Sequence, residues 1–248
     1  MTEILQTHIP YDAFAEVALP GISPMKMTDW LIIDEAYAGQ MALREELLAR
    51  RCGDVLALDE HACAAAAELL DVILELLEEK EGFLVSGTVV TCPDGRKVTL
   101  DGQDPLGSVA RLVQEDICIL QRQGDQHVLT GAVLCFPASW SLSEKFGKPL
   151  TGIHVPVDSY DDNIARRVQR LFDGVRVERP MWRKNLLWYN NPDLFQPRSE
   201  NERRTPVDKS SAPYLRSERQ SILRLPRSEA VVFSIHTFVV ARENVATE

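Results

Sequence analysis

One histidine near the middle of the chain stands on a segment whose neighbours restrict its conformation. His154 lies in the sequence IHVPV, within the run GAVLCFPASWSLSEKFGKPLTGIHVPVD at residues 131–158. Because Val155 precedes Pro156, it favours extended backbone, so we expect His154 on an extended segment between apolar neighbours. A buried, directional imidazole of this kind suits an axial metal ligand, and it equally suits an ordinary core histidine.

Several arginines crowd the sequence LRSERQSILRLPRS near the C-terminus. They are Arg216, Arg219, Arg224 and Arg227. On an unbroken strand, Arg216 and Arg224 share a face while Arg219 points the other way. Guanidinium groups bind carboxylates in paired geometry, so this cluster is a candidate anion site. The arginines are equally compatible with solvation or with pairing to Glu218 and Glu229.

Aromatic residues are concentrated just before this cluster. Trp182, Trp188 and Tyr189 are accompanied by two carboxylates, Asp193 and Glu218. Aromatic faces with a nearby carboxylate are what recognition of an organic cation requires. Packing over the edge of a sheet is the structural alternative for each aromatic residue.

Composition excludes several classes of function. The chain has 248 residues and a formal net charge of -10, which leaves no basic stripe for nucleic acid. No apolar run approaches a membrane span, and the N-terminus lacks the features of a signal peptide. The five cysteines are scattered without a CxxC pair, which argues against zinc and iron–sulfur sites and indicates the cytoplasm.

The elements that position these residues can be read from periodicity. A helix is expected over 35–51, and a second over 59–80 with Gly82 as its stop. Hairpins are expected within 83–100 and 117–136, with His127 exposed beside the second turn. A short helix is expected over 104–113.

The rest of the chain follows the same reasoning. The periodicity predicts a helix over 163–172, an irregular aromatic stretch over 179–195 and two closing strands, YLRSERQSILRL and EAVVFSIHTFVV. These elements predict an α+β domain with a mostly antiparallel sheet and with helices N-terminal and flanking. We divide the chain into an N-terminal arm (1–30), one domain (31–241) and a tail (242–248).

Three motifs occur in an order that resembles a known family. PASWSLSEKFGKPLTGIHVPV is followed by WRKN and NNPDLF and then by YLRSERQSILRLPRSEAVVFSI. These motifs are similar to those of the haem-dependent oxidative N-demethylase family, and the similarity runs from Met25 to about Val240. The resemblance implies a PAS-like haem-binding domain, haem b as cofactor and His154 as the axial ligand.

A haem also needs apolar walls and cations for its propionates. Under the resemblance, Phe136 and Trp140 are candidate walls of the cofactor site. Arg219 and Arg224 are the preferred propionate partners because they stand inside the family-like ERQSILRLP.

The implied reaction is the oxygen-dependent removal of a methyl group, as formaldehyde, from a small N-methylated secondary amine. Glu218, Trp188 and Tyr189 are the candidate catalytic residues that would meet the substrate cation. The chain has neither a GxGxxG sequence behind a strand nor a cysteine cluster. Flavin and iron–sulfur centres are therefore expected only on a partner reductase protein that supplies the electrons.

Two positions depart from the family pattern. His236 stands in FSIHTF where the family carries an arginine, and it is the rival to His154 as iron ligand. It is also compatible with a structural role or a propionate contact. Leu186 follows Asn185 where the family has tryptophan, which leaves open a substrate other than dimethylamine. The alternative functions are a non-catalytic haem or gas-sensing PAS-like protein and a scaffold without haem.

Overall fold

The computed structural model describes residues 3–15, 21–153, 162–202 and 206–245, with the backbone alone described at 162–166. The helices are α1 Tyr37–Arg50, α2 Cys52–Val55, α3 Cys63–Leu77, α4 Pro105–Ala110, α5 Leu142–Lys145, α6 Leu150–Ile153 and α7 Asp162–Gly174. The strands are β1 Ser23–Pro24, β2 Leu56–Leu58, β3 Leu84–Ser86, β4 Val89–Thr91, β5 Lys97–Thr99, β6 Asp116–Gln123, β7 Gln126–Val133, β8 Met181–Tyr189, β9 Tyr214–Arg224 and β10 Val231–Ala241.

The large sheet is antiparallel at every pairing between the described strands. Its order is β1-β8-β9-β10-β6-β7-β2, and β3-β4-β5 form a separate small sheet. Strands β9 and β10 pair over their whole length, from Tyr214 opposite Ala241 to Arg224 opposite Val231. The predicted α+β class and antiparallel sheet are confirmed. None of the helices in the described residues is long and apolar enough to cross a membrane.

Helix α3 covers one face of the large sheet. Its sequence is rich in alanine, leucine and glutamate, which favour helix, and its buried side chains recur at helical spacing. Together with α1, α4 and Trp30 it encloses the larger hydrophobic core, which includes Ile117, Ile119, Leu223 and Val232 of the sheet. We call this side of the sheet, which also carries His236, the first face.

The opposite side of the sheet, here the second face, carries a smaller core. Side chains from β6 and β7, among them Cys118 and Leu120, pack there with Ile222. Residues of α5, α6 and α7 cover this core, and Trp140 and Ile153 pack against it. Because side chains alternate along a strand, Glu218 and Gln220 share the second face with Ile222.

A buried ion pair joins α1 to the start of the segment that leads to His154. Arg44 donates to Asp116 at 2.7 Å, and both side chains are 0% exposed. Asp116 also accepts hydrogen bonds from the backbone amides of Cys135, at 2.8 Å, and Phe136, at 2.7 Å. The Arg44 guanidinium lies 5.2 Å from the centre of the Phe136 ring. Strand β7 is therefore followed by a firmly anchored turn.

The N-terminal residues are tied to the far end of β10. Gln6 is 1% exposed, and its backbone amide donates a hydrogen bond of 2.9 Å to the carbonyl of Val239. The backbone amide of Val239 in turn donates to the side-chain oxygen of Gln6 at 2.8 Å. Its side-chain amide reaches the Thr237 carbonyl at 3.2 Å and Asp34 at 2.9 Å.

Two expectations from the sequence were wrong. The stretch 179–195 was expected to be irregular, but it contains β8, whose nine residues pair with β9 from Met181 to Tyr189. His127 was expected to be exposed, but it is 1% exposed because α7 packs over the end of the hairpin. There Gln169 hydrogen-bonds its ring at 2.9 Å and Phe172 lies 5.9 Å away. Burial lowers the pKa of His127.

Candidate functional site

A strip of polar residues crosses the second face where β8 and β9 pair. Arg183 lies opposite Gln220, Asn185 opposite Glu218, and Leu187 opposite Arg216. Residues directly opposite each other in an antiparallel pair project from the same face, so these six side chains form one surface. Apolar residues of the second core, Met181 and Ile222, adjoin its Arg183 end.

Glu218 is the carboxylate at the centre of this strip. Its side chain is 7% exposed, and Gln220 donates a hydrogen bond of 3.0 Å to its Oε2 atom. Its Oε1 atom lies 3.7 Å from Nη2 of Arg216. This is an ion-pair distance without a short hydrogen bond, so Oε1 retains capacity to accept a proton donor.

Arg216 connects the strip by hydrogen bonds to two neighbouring segments. Its Nη2 atom donates to the carbonyl of Phe136 at 2.5 Å and its Nη1 atom to the carbonyl of Leu194 at 3.1 Å. The guanidinium lies 5.8 Å from the centre of the Tyr189 ring. Arg216 thereby fixes the position of Glu218 relative to the turn at Phe136.

Polar and aromatic atoms converge at the Arg216 end of the strip. A small space of about 130 Å³ there is bordered by Ala138, Asn185, Leu187, Tyr189, Arg216 and Glu218. As it stands, this space has no room for a water molecule. The structure thus brings together two of the three predicted catalytic residues, Glu218 and Tyr189, without an open pocket between them.

Trp188 is separated from that group. It projects to the first face, since neighbouring residues of a strand alternate and Tyr189 projects to the second. The Arg242 guanidinium lies 3.8 Å from the centre of its ring. Trp182 is also on the first face, with Arg219 at 5.0 Å and Tyr11 at 5.3 Å from its ring.

The two arginines predicted to bind propionates are engaged with backbone carbonyls. Arg219, on the first face, donates to the carbonyls of Asp29 at 2.6 Å and Trp30 at 3.3 Å. Arg224 donates to the carbonyls of Val175 at 2.7 Å and Phe172 at 2.9 Å, at the C-terminal end of α7. The two arginines lie on opposite faces of the sheet, as predicted. Nη1 of Arg219 and the Nε and Nη2 atoms of Arg224 donate their hydrogen bonds to backbone carbonyls of the chain itself.

Arg227 lies far from the strip, in an open groove of about 470 Å³ beside the outer face of α3. It pairs there with Asp71 at 2.5 Å and with Glu68 at 3.7 Å. The groove is lined mainly by acidic and aliphatic side chains of α3. Arg227 therefore takes no part in the group around Glu218.

His236 is enclosed on the first face by carboxylates. Its Nδ1 atom is 3.1 Å from Glu115 and its Nε2 atom 3.1 Å from Asp34. Burial by itself would lower the pKa of His236, but the hydrogen bonds and charges of both carboxylates outweigh it and raise the pKa to about 9. An imidazolium with both nitrogen atoms occupied has no lone pair for a metal ion, so this arrangement is that of a structural cation.

The predicted axial ligand, His154, lies outside the described residues. Ile153, the last described residue before it, packs against the second core, as does Trp140. Phe136, the other predicted wall residue, belongs to the larger core and contacts Arg44. The two predicted walls are therefore in different cores.

Sequence reasoning missed Arg183, Asn185 and Gln220. The signal was present in MWRKNLLWY, where Arg183, Asn185 and Leu187 alternate with Trp182, Lys184, Leu186 and Trp188. Interpreting this stretch as irregular concealed the alternation. Interpreting it as a strand would have placed these residues on one face with Tyr189.

A haem would need an axial ligand, apolar walls and cations for its acid groups. Trp140, Phe146 and Ile153 supply apolar surface on the second face. Within the described ranges, the Nε atoms of Arg183 and Arg216 are buried on that face without a hydrogen-bond partner. Orphaned donors of this kind fit an anionic group that the chain does not itself supply. The described residues therefore fit the walls and acid groups of a haem.

Comparison with known protein families identifies a family that matches most of the chain. Residues 21–248 match the family described as haem-dependent oxidative N-demethylase, alpha subunit-like. The matched region includes every strand of both sheets and all three sequence motifs. The description as alpha subunit-like implies an enzyme of several subunits. The chain belongs to the haem-dependent oxidative N-demethylase, alpha subunit-like family.

Proposed function

We propose that this chain is the haem-binding subunit of an oxygen-dependent oxidative N-demethylase that acts on a small N-methylated amine. Overall, the substrate, dioxygen, two electrons and two protons yield formaldehyde, the amine without one methyl group, and water. The electrons come from a separate reductase protein that carries flavin and iron–sulfur centres. Bound haem b supplies the activation of dioxygen. Residues 31–241 form one PAS-like haem-binding domain in this proposal.

The observation that carries the proposal is the position of Glu218. An N-methylated amine is protonated in water, so its site needs an anion that is shielded from solvent. Glu218 is nearly buried, and among the described residues its Oε1 atom has only the 3.7 Å contact with Arg216. We assign this oxygen to hold the substrate ammonium N–H, with the Tyr189 ring as a neighbouring aromatic wall. Because the space beside it is closed to water in this structure, the lining side chains must move apart to admit the amine.

His154 is the proposed axial ligand of the haem. Support comes from the family match and from Ile153, which directly precedes it and packs on the second face. The Nε atoms of Arg183 and Arg216, which have no hydrogen-bond partner among the described residues, lie on the same face. The apolar wall, these donors and the substrate carboxylate adjoin one side of the sheet, and His154 follows Ile153 directly in the sequence. His236, held between two carboxylates on the other face, serves as a structural cation.

The test begins with protein purified from cells that have ample haem. We expect a Soret absorption band, and formaldehyde release that requires amine, oxygen and an electron donor together. A Soret band without release would instead favour the non-catalytic haem or gas-sensing protein. Protein that stays colourless when mixed with hemin would refute both functions.

Single substitutions assign the ligand. His154→Ala should abolish the ferric Soret spectrum of the native protein or shift it, whereas His236→Ala should leave the position of the band unchanged if the variant folds. His61→Ala is the matched control, because the His61 side chain is 82% exposed. An unaltered spectrum in His154→Ala would contradict the assignment of the axial ligand.

A further inference from the structure

Arg183 stands out on the second face because none of the described residues forms a hydrogen bond or an ion pair with its guanidinium. It lies on β8 opposite Gln220, and its side chain is partly buried. Its Nε atom is inaccessible to solvent and makes no hydrogen bond, and the structure shows no ion pair to Arg183 from any described residue. Taking a guanidinium donor out of water without an acceptor is unfavourable, so this position calls for an acceptor.

The carboxylate on the neighbouring strand, that of Glu218, does not fill this role. Glu218 lies diagonally across from Arg183 on the neighbouring strand. However, Gln220 donates to one oxygen of Glu218 at 3.0 Å, and Arg216 faces the other at 3.7 Å. Arg183 is therefore left beside a carboxylate that is oriented towards other donors.

The other arginines of the sheet behave differently. Arg216, Arg219 and Arg224 each donate at least two hydrogen bonds to backbone carbonyls, which fixes them as structural braces. Of the arginines on β8 and β9, Arg183 is the one without such a bond in the described part of the chain. Arg216 has one unpartnered Nε atom but is held by its two carbonyl bonds, whereas the described residues leave the whole Arg183 guanidinium available for an external anion.

The surroundings of Arg183 indicate what kind of anion fits. Two residues along the strand, Met181 packs in the second core, and Ile222 lies opposite it. A ligand bound here would contact the apolar surface of Met181 and Ile222 and, about 7 Å along the strand, the guanidinium of Arg183. That combination suits an apolar molecule with carboxylates at one edge.

We propose that Arg183 binds a propionate carboxylate of the haem, in place of Arg219 and Arg224. The inference rests on the proposed haem-binding function and specifies one contact of that site. A guanidinium presents two parallel N–H donors to a carboxylate, so Arg183 would orient the propionate as well as add affinity. Substrate recognition at Glu218 is a separate contact of the same face.

The experiment compares hemin with hemin dimethyl ester, in which both carboxylates are blocked. Binding of each to the full chain is followed by the Soret band. Arg183→Gln should raise the Kd of hemin about tenfold, the effect of one charged hydrogen-bonded contact, and leave the Kd of the ester unchanged. Arg170→Gln, an exposed change of the same type on α7, is the control and should alter neither value.

Two results would overturn the proposal. One is an equal Kd for hemin in Arg183→Gln and the unsubstituted protein; the other is equal weakening of hemin and of the ester. If Arg183→Gln fails to fold, Arg183→Lys carries the test, because it retains the charge but loses the paired donors. Its preference for hemin over the ester should fall about threefold, and an undiminished preference counts against Arg183.

The outcome also separates this inference from the proposed function. If the unsubstituted protein binds no hemin, the haem-binding function itself fails. If it binds hemin and all Arg183 variants bind it equally well, the function stands and the role of Arg183 is wrong. Arg219→Gln and Arg224→Gln, measured alongside, test the partners that the sequence motif favoured.

Discussion

His236 is positively charged inside the protein because two carboxylates surround it. Asp34 and Glu115 each approach one ring nitrogen at 3.1 Å, and Arg219 lies opposite His236 on the neighbouring strand. The pKa of His236 is raised to about 9, and hydrogen bonds and the charge of His236 lower the pKa of Asp34 although burial acts in the opposite direction. The cation thus holds two carboxylates together in the core.

The raised pKa predicts a stability that depends on pH. In the unfolded chain the histidine has an ordinary pKa near 6.5, so its contribution is complete below about pH 6.5 and disappears as pH rises through 9. We expect the free energy of unfolding, from urea titrations, to fall by on the order of 3 kcal/mol between pH 6.5 and pH 9.5.

His236→Gln should flatten this dependence, whereas the exposed control His61→Gln should retain it. A His236→Gln protein whose stability declines with pH as steeply as that of the unsubstituted chain would count against an imidazolium at this position.

Glu218 leads to a prediction about catalysis. Glu218→Gln removes the charge that would hold the substrate ammonium but keeps the shape of the side chain. We expect the KM for the amine to rise about tenfold or more, because a hydrogen bond between charged groups contributes about 1.5–3 kcal/mol. Steady-state formaldehyde release measures the effect, and the Soret band should be unchanged.

Glu178→Gln, an exposed substitution of the same kind, is the matched control. An unchanged KM in Glu218→Gln would remove Glu218 from the proposed substrate site.

At the scale of elements, the buried Arg44–Asp116 pair connects α1, β6 and the turn after β7. Asp116 accepts hydrogen bonds from Arg44 and from the backbone amides of Cys135 and Phe136. Arg216 donates a hydrogen bond to the carbonyl of Phe136. Phe136 is consequently held at its amide, its carbonyl and its ring. The segment that carries Trp140 and His154 starts from this fixed point.

Breaking the pair should therefore destabilise the protein strongly. Arg44→Met and Asp116→Asn each leave one buried partner uncompensated, so we expect each to lower the free energy of unfolding by about 3–5 kcal/mol. The exposed Arg50–Glu46 pair on α1 is the control, and Arg50→Gln should cost at most about 0.5 kcal/mol. Losses below about 1 kcal/mol in both buried variants would show that the pair is dispensable.

At the scale of the whole molecule, residues distant in sequence close the first face. Gln6 bonds to β10 and to Asp34, Tyr11 contacts Phe238, and Trp30 donates to Ser234 at 2.7 Å. The N-terminal residues therefore complete the environment in which His236 and its carboxylates are buried.

Gln6→Ala tests this closure. The substitution leaves the buried Val239 amide without its side-chain acceptor and removes one of the two side-chain donors to the Thr237 carbonyl. We therefore expect a loss of about 1–3 kcal/mol in the free energy of unfolding. Its effect on His236 should appear as a weaker pH dependence of stability. His8→Ala, at an exposed neighbouring position, should be neutral, and an equal loss in both variants would argue against a specific role for Gln6.

Several features followed from sequence alone because they depend on neighbours along the chain. The helical spacing in 59–80 and 35–51, the turns at Gly95 and Gly124, and the alternation of β9 and β10 are local patterns. They placed Arg216 and Arg224 on one face and Arg219 on the other, as observed. The order of three motifs sufficed to identify the family, since it needs no contacts at all.

Contacts between distant segments decided the rest. Strand β8 exists because β9 supplies its hydrogen bonds, and that pairing brings Arg183 and Asn185 beside Glu218. His127 is buried by α7, and His236 is charged because Asp34 and Glu115 arrive from elsewhere in the chain. Burial and charge depend on which groups surround a side chain in space, and the packing of the folded chain alone determines them.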